Sequence, residues 1–218
     1  MVTPEYRVRQ SGATHEQLLA ADEDAWRPAE TITWGPDRYR TRFRALSTPA
    51  ALVARFDATD ERPWFTMTAR DSHIWNEEVV EIFLDPGRTG RQYAELEISP
   101  ANVVCDLVVH RPWPEVHSDP SWDFAGLATR VMRWSGGDAG PDGWTATAAM
   151  PWRDFASLPT SVALPPRAGD RWRFNVYRIK RPHGPDRPEE QVVYAAWSPT
   201  GGPSFHVPDA FRDFIFSE

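Results

Sequence analysis

The segment Glu77–Gly87, EEVVEIFLDPG, and its successor Arg91–Pro100, RQYAELEISP, decide the fold. In the first, Val80, Ile82 and Leu84 alternate with Val79, Glu81, Phe83 and Asp85. A period of two puts these sets on opposite faces of a strand. Pro86-Gly87 then stops the run, because proline cannot donate to a ladder and glycine enters turns without strain. In the second segment Ala94, Leu96 and Ile98 form an apolar face, and Tyr93, Glu95 and Glu97 a polar one. Two such runs across a short turn predict a hairpin.

The same pattern extends outward. YRTRFRALS, ALVARFDATD, NVVCDLVVH, LATRVMRW, GWTATAAMPW, DRWRFNVYRIKRP, EEQVVYAAWSP and DAFRDFIFSE all read as strands between Gly/Pro turns. SGGDAGPDG between two of them signals a second hairpin. Helix is confined to THEQLLAADEDAW, where Thr14 and Gln17 sit at capping-box spacing, and to a turn or two at PWRDFASL, with Pro151 near its start. RPWPEVHSDPSWDFAG and RPHGPDRPEE read as loops. The expectation is an all-β, antiparallel β-sandwich with a few short peripheral helices, and a single domain over residues 1–218.

Composition narrows the function classes. Lys and Arg number 24 against 31 Asp and Glu, a net charge of −7, so neither nucleic acid nor an anionic membrane is an expected partner. The charged segment YRVRQ is too short to alter that. One cysteine, Cys105, excludes an internal disulfide and any CxxC metal or redox motif. No apolar run reaches membrane-spanning length, and the N-terminal residues show no signal-peptide core. A cytoplasmic location is therefore expected for the chain as given, and secretion if a leader precedes it. The aromatic content leans towards tryptophan, with 11 Trp against 5 Tyr.

Several segments resemble, in order, the family 9 carbohydrate-binding modules, specifically their free-standing bacterial relatives. They are ALVARFDATD, WNEEVVEIFLDP, YAELEISP, WRFNVYRI and WSPT…FHVPDAF, together spanning roughly residues 15 to 216. The resemblance implies a β-sandwich, a saccharide ligand, structural calcium and a link to carbohydrate catabolism. It also implies an aromatic clamp from Trp75 and Trp197, with Glu81, Asn175 and Arg178 as polar contacts. The chemistry suits a sugar, since an indole packs on the C–H face of the ring and carboxylate, amide and guanidinium groups satisfy its hydroxyls. Trp197, at a strand end before a glycine loop, is the better candidate for display, with Phe205 folding back to anchor that loop. Trp26, Trp34, Trp134, Trp144, Trp152 and Trp172 read as structural.

Strand alternation qualifies the set. Asn175 and Arg178 fall on opposite faces unless a bulge intervenes. Glu81 shares its face with Phe83, which points to burial and pairing with a neighbouring arginine. His206 reads as a loop-packing residue. For calcium, Asp57 and Asp60, with Glu61, form a carboxylate cluster at a strand end but lack an EF-hand pattern.

Other chemistries have less support. In a hydrolase, Glu81 and Asp85 would stand about 13 Å apart along the strand, too far for a catalytic pair. Glu95 and Glu97, about 7 Å apart on one face, have workable spacing, alone or with Glu81. The plainer expectation for them is a solvated strand face. No G-x-S-x-G or HExxH motif occurs. Met67, Met132, Met150 and His73 suggest no haem ligand pair, and CxxCH is absent. A haem-binding sandwich, or one whose loops bind a protein partner, is the remaining alternative.

Overall fold

The computed structural model describes residues 4–137 and 140–218. Thirteen strands among them join one sheet. In chain order these are β1 (Glu5–Gln10), β2 (Ile32–Trp34), β3 (Thr41–Ser47), β4 (Ala51–Thr59), β5 (Val79–Asp85), β6 (Tyr93–Ile98) and β7 (Val104–Arg111). Then follow β8 (His117–Asp119), β9 (Ala128–Trp134), β10 (Gly143–Pro151), β11 (Arg171–Lys180), β12 (Val193–Ala196) and β13 (Arg212–Ser217). The spatial order is β8-β7-β6-β5-β11-β13-β1-β3-β4-β10-β9, with β12 also pairing β11 and β2 also pairing β3.

The sheet curls on itself, so that its β5–β8 end packs against its β3, β4 and β10 end. Alternation dictates what lies between. Val80, Ile82 and Leu84 of β5 meet Phe43, Leu52 and Phe56 of the opposite layer in the main core. Aromatic rings fill the bend: Phe174 lies 4.4 Å from Phe214, and Tyr6 stacks 5.6 Å from Phe214. Large buried rings supply most of the apolar area that drives such a collapse.

The predicted hairpin is present, with Glu81 opposite Glu97 and Phe83 opposite Glu95. The β9–β10 hairpin is also present, although its turn includes residues 138 and 139, outside the described residues. Helix α1 (His15–Ala20) starts at Thr14 with the predicted capping box to Gln17. It is shorter than expected, and Asp24–Trp26 forms a separate 3-10 turn. A 3-10 helix over Trp152–Ser157 follows Pro151.

The sheet is mixed rather than wholly antiparallel. YRVRQ belongs to β1, which runs parallel to both β13 and β3. Only Tyr6 and Val8 mark it as a strand, and both are fully buried. Its main partner lies at the other end of the chain, so local sequence carries little of the signal. No helix among the described residues is long and apolar enough to cross a membrane.

Candidate functional site

Both faces of β5 are buried, which a simple two-layer sandwich does not require. Loops cover the outer face of β5, β6, β7 and β11 and build a second, smaller core there from Phe83, Tyr93, Leu107, Tyr177, Ile179 and Phe211. The loops leave a cavity of about 370 Å³ over this face. Glu81, Glu95 and Glu97 line its floor, with Phe83 and Ile179 beside them. Trp75 forms one wall, and Tyr194, Phe205 and His206 come from β12 and the loop after it.

Each wall is held by local contacts. Trp75 sits in a 3-10 turn, Ile74–Asn76. The His73 ring stacks on its indole at 4.4 Å. The buried carboxylate of Glu77 accepts hydrogen bonds from the Thr66 and Met67 backbone N–H groups at 2.9 and 3.2 Å, fixing the preceding loop. Across the cavity, Phe205 stacks on Tyr177 at 4.3 Å, and the Tyr177 hydroxyl donates to the Phe205 carbonyl at 3.1 Å. Phe205 thus anchors its loop, as expected. Gly201, at φ +71°, permits the turn that brings the loop back. His206 Nδ1 lies 2.9 Å from the Tyr93 hydroxyl.

The electrostatics of the floor are unusual. Glu81, Glu95 and Glu97 are only 2%, 4% and 2% exposed. One carboxylate oxygen from each lies within 4.8 Å of the others. The nearest ring nitrogen is His206 Nδ1, 3.9 Å from Glu95 Oε2, and burial lowers that histidine's pKa to about 4, so the contact is not an ion pair at neutral pH. Among the described residues no arginine or lysine pairs with any of the three. Burial raises the Glu95 pKa to about 7, against a smaller opposing hydrogen-bond effect from Glu97. Burial, then the charge of Glu95, raises Glu81; burial, then Glu81 and Glu95, raises Glu97.

Two sequence expectations are corrected here. Glu95 and Glu97 lie not on a solvated face but under the loops. Glu81 is buried as expected, yet its neighbours are carboxylates rather than an arginine.

The structure brings Trp75 and Glu81 to the cavity and leaves the other predicted site residues outside its lining. Trp197 is half-buried, packs towards the main core 5.1 Å from the Phe174 ring, and lies outside the lining of this cavity. Asn175 is fully buried and clamps the backbone of Ser198: its Nδ2 donates to the Ser198 carbonyl at 2.8 Å, and the Ser198 N–H donates to its Oδ1 at 3.1 Å. Arg178 lies on the opposite face of β11, as alternation predicted, and donates to Asp60 at 2.7 Å and to the Thr59 carbonyl at 2.9 Å.

The proposed calcium ligands are likewise committed elsewhere. Asp57 accepts from Arg42 at 3.1 Å, Arg44 at 2.8 Å, Arg55 at 3.0 Å and the Thr145 hydroxyl at 2.9 Å. Asp60 accepts from Arg178 and from Lys180 at 2.9 Å. A calcium ion at either position would face bound cations. A further acidic group, Asp71, Asp106 and Asp123, contains Arg70, which bonds to both Asp106 and Asp123.

Sequence reasoning missed Tyr194 and Phe205 as cavity walls, and it joined Glu95 or Glu97 to Glu81 only as a hydrolase alternative, not as the floor of a binding cavity. The signal for the glutamates was present: a shared face on β6 and a hairpin register that places Glu97 opposite Glu81.

The architecture is thus a curled sheet with a loop-covered cavity on its outer face. The chain is similar to a presumed carbohydrate-binding protein of Bacteroides uniformis, with a TM-score of 0.74 at 14% identity over 99% of this chain and 100% of that one. It is also similar to a family 9 carbohydrate-binding module of Caldicellulosiruptor kristjanssonii. That module's cellotriose complex matches with a TM-score of 0.66 at 13% identity, covering 98% of this chain and 94% of that one. Its glucose complex gives 0.65 at 14% identity, covering 97% and 95%. The chain therefore has the fold of the family 9 modules. A protein of Arthroderma benhamiae named "Extracellular protein" is 24% identical over 188 residues, 81% of this chain and 78% of its own length. No protein-family model matches the chain.

Proposed function

We propose that the protein is a carbohydrate-binding module that holds a small or terminal sugar in the cavity above Glu81, Glu95 and Glu97. One observation carries the reading: aromatic walls enclose a floor made of carboxylates, in a space of about 370 Å³. That volume suits a small ligand. Trp75 takes the C–H face of the ring, with Tyr194, 58% exposed at the mouth, opposite or beside it. The carboxylates accept from the hydroxyls. Asn175 acts one step back, by holding Ser198 at the start of the loop that carries Phe205, whereas Trp197 and Arg178 pack away from the cavity. The glucose and cellotriose complexes of the similar module make glucose and short cello-oligosaccharides the first ligands to try.

Calorimetric titration of these sugars into the wild type, Trp75→Ala and Trp197→Ala tests the assignment. Saturable binding that Trp75→Ala weakens and Trp197→Ala largely retains supports it. Absence of saturable binding to any sugar rejects it.

A second reading has its own support. Retaining glycosidases hold two carboxyl groups roughly 5–5.5 Å apart. The clustered glutamate oxygens lie within 4.8 Å of one another, somewhat closer than that pair, and Glu95, with its pKa raised to about 7, keeps an acid form at neutral pH. Incubating the same oligosaccharides with enzyme-level protein decides it. Product formation that disappears in Glu95→Gln would make the cavity a hydrolase site; no product leaves binding as the function.

A further inference from the structure

We infer that Glu81, Glu95 and Glu97 form a binding site for a divalent cation of the calcium type at the cavity floor, and that a bound sugar completes its coordination with two neighbouring hydroxyls. The second half rests on the saccharide reading above; the first does not.

Acidic groups at protein surfaces often cluster without a metal, so proximity alone decides nothing. Three further features set this group apart. First, the carboxylates are buried and no arginine or lysine compensates them, unlike Asp57, Asp60 and Asp106. Second, Glu95 Oε2 and Glu97 Oε2 are buried with no donor from outside the carboxyl cluster itself. A buried acceptor left unpaired carries a large desolvation cost, which a ligand at the cavity floor would remove. Third, the spacing fits. Oxygens on opposite sides of a calcium ion stand up to about 5 Å apart, given typical bonds of 2.3–2.6 Å. The three glutamate oxygens lie within 4.8 Å of one another.

The donor set points to a hard cation, since it is all oxygen. With one oxygen from each, the three carboxylates leave at least three of the six to eight positions that calcium takes open. Ser118 and Ser204 line the same cavity and can add hydroxyl oxygens. Sugar hydroxyls suit the remaining positions because they are neutral oxygen donors set in pairs along a ring. The aromatic walls would hold the ring while the cation selects the hydroxyl pair.

The test is a calcium titration of chelator-stripped protein by calorimetry, with the wild type, Glu97→Gln and Glu81→Gln, each checked for folding by circular dichroism. The glutamine variants keep side-chain shape and remove one of three like charges, so they should fold. The expected result is one saturable site that weakens at least tenfold in either variant. No saturable site in the wild type, or an affinity unchanged in both variants, overturns the assignment; the latter would send the ion to another group such as Asp71, Asp106 and Asp123. Glucose and cello-oligosaccharides are then titrated with calcium and with excess chelator. Calcium-dependent sugar affinity supports the bridge. Calcium binding with unchanged sugar affinity overturns the bridge and keeps the metal site. Sugar binding without any calcium site overturns the metal site and keeps the saccharide reading.

Discussion

The sandwich buries acid on both of its outer faces, and it does so in opposite ways. On the β3–β4–β10 face, Asp57 lies among Arg42, Arg44 and Arg55, with Thr145 completing its hydrogen bonds. Glu23, on the loop above, pairs with Arg44 at 2.7 Å. On the β5–β6 face, Glu81, Glu95 and Glu97 have only one another and an uncharged histidine. The first arrangement is self-sufficient, because every charge has a partner within the chain. The second is incomplete without a proton, a cation or a ligand. The difference separates structure from function on a fold where both faces carry buried charge: a compensated acid maintains the sheet, and an uncompensated one at a cavity floor is available to something outside the chain.

The largest expected effect breaks the compensated side. Asp57→Ala leaves three guanidinium groups close together without their shared anion. Removing one partner from a buried charge cluster typically costs roughly 3–5 kcal/mol. Denaturant unfolding should show a loss of that order. Glu97→Gln, measured the same way in chelator, should leave stability unchanged or raise it, since it relieves like-charge repulsion in a buried group. Equal losses in the two variants would erase the distinction between the faces.

The tryptophans permit a parallel separation. Trp197 packs on Phe174 towards the main core, so Trp197→Ala should cost about 2 kcal/mol of stability, below the figure for a fully buried Trp. Sugar affinity should change little. Trp75 projects into the cavity from a short turn, so Trp75→Ala should spare stability and weaken sugar binding roughly tenfold, near 1.4 kcal/mol. A reversal of the two phenotypes would return the ligand to the Trp197 loop.

These contrasts also show what the sequence made legible. Period-two alternation identified β5, β6 and their hairpin because strand geometry is local, and it correctly put Asn175 and Arg178 on opposite faces of β11. The capping box at Thr14 was legible for the same reason. β1 was not, since two apolar residues among charges become a strand only through parallel pairing with β13, some two hundred residues away. The cavity was harder still. Glu95 and Glu97 look solvent-facing by alternation, and only the loops carrying Trp75 and Phe205 turn that outer face into an interior. Trp197, before a glycine loop, is half-buried because the hydrogen bonds between Asn175 and Ser198 draw the start of that loop inward.

The smallest expected effect concerns acid. Burial opposes the charged form of Asp57, but the charges of Arg55, Arg44 and Arg42 and the Thr145 hydroxyl outweigh it and hold the pKa below the usual aspartate value. A carboxyl group with a lowered folded-state pKa binds fewer protons when folded than when unfolded in that window. Its contribution to stability is therefore complete above the ordinary value near 3.8 and declines as pH falls through the folded-state pKa. Thermal unfolding followed from pH 5 downward should show a falling melting temperature in the wild type and a shallower fall in Asp57→Asn, which has no proton to gain at that position. Calcium should leave this acid-limb difference between the two proteins in place, because Asp57 already has its cations. At neutral pH calcium should raise the melting temperature of the wild type and of Asp57→Asn alike, and of Glu97→Gln much less. A calcium response that follows Asp57 instead would place the ion on the compensated face and reverse the roles assigned to the two clusters.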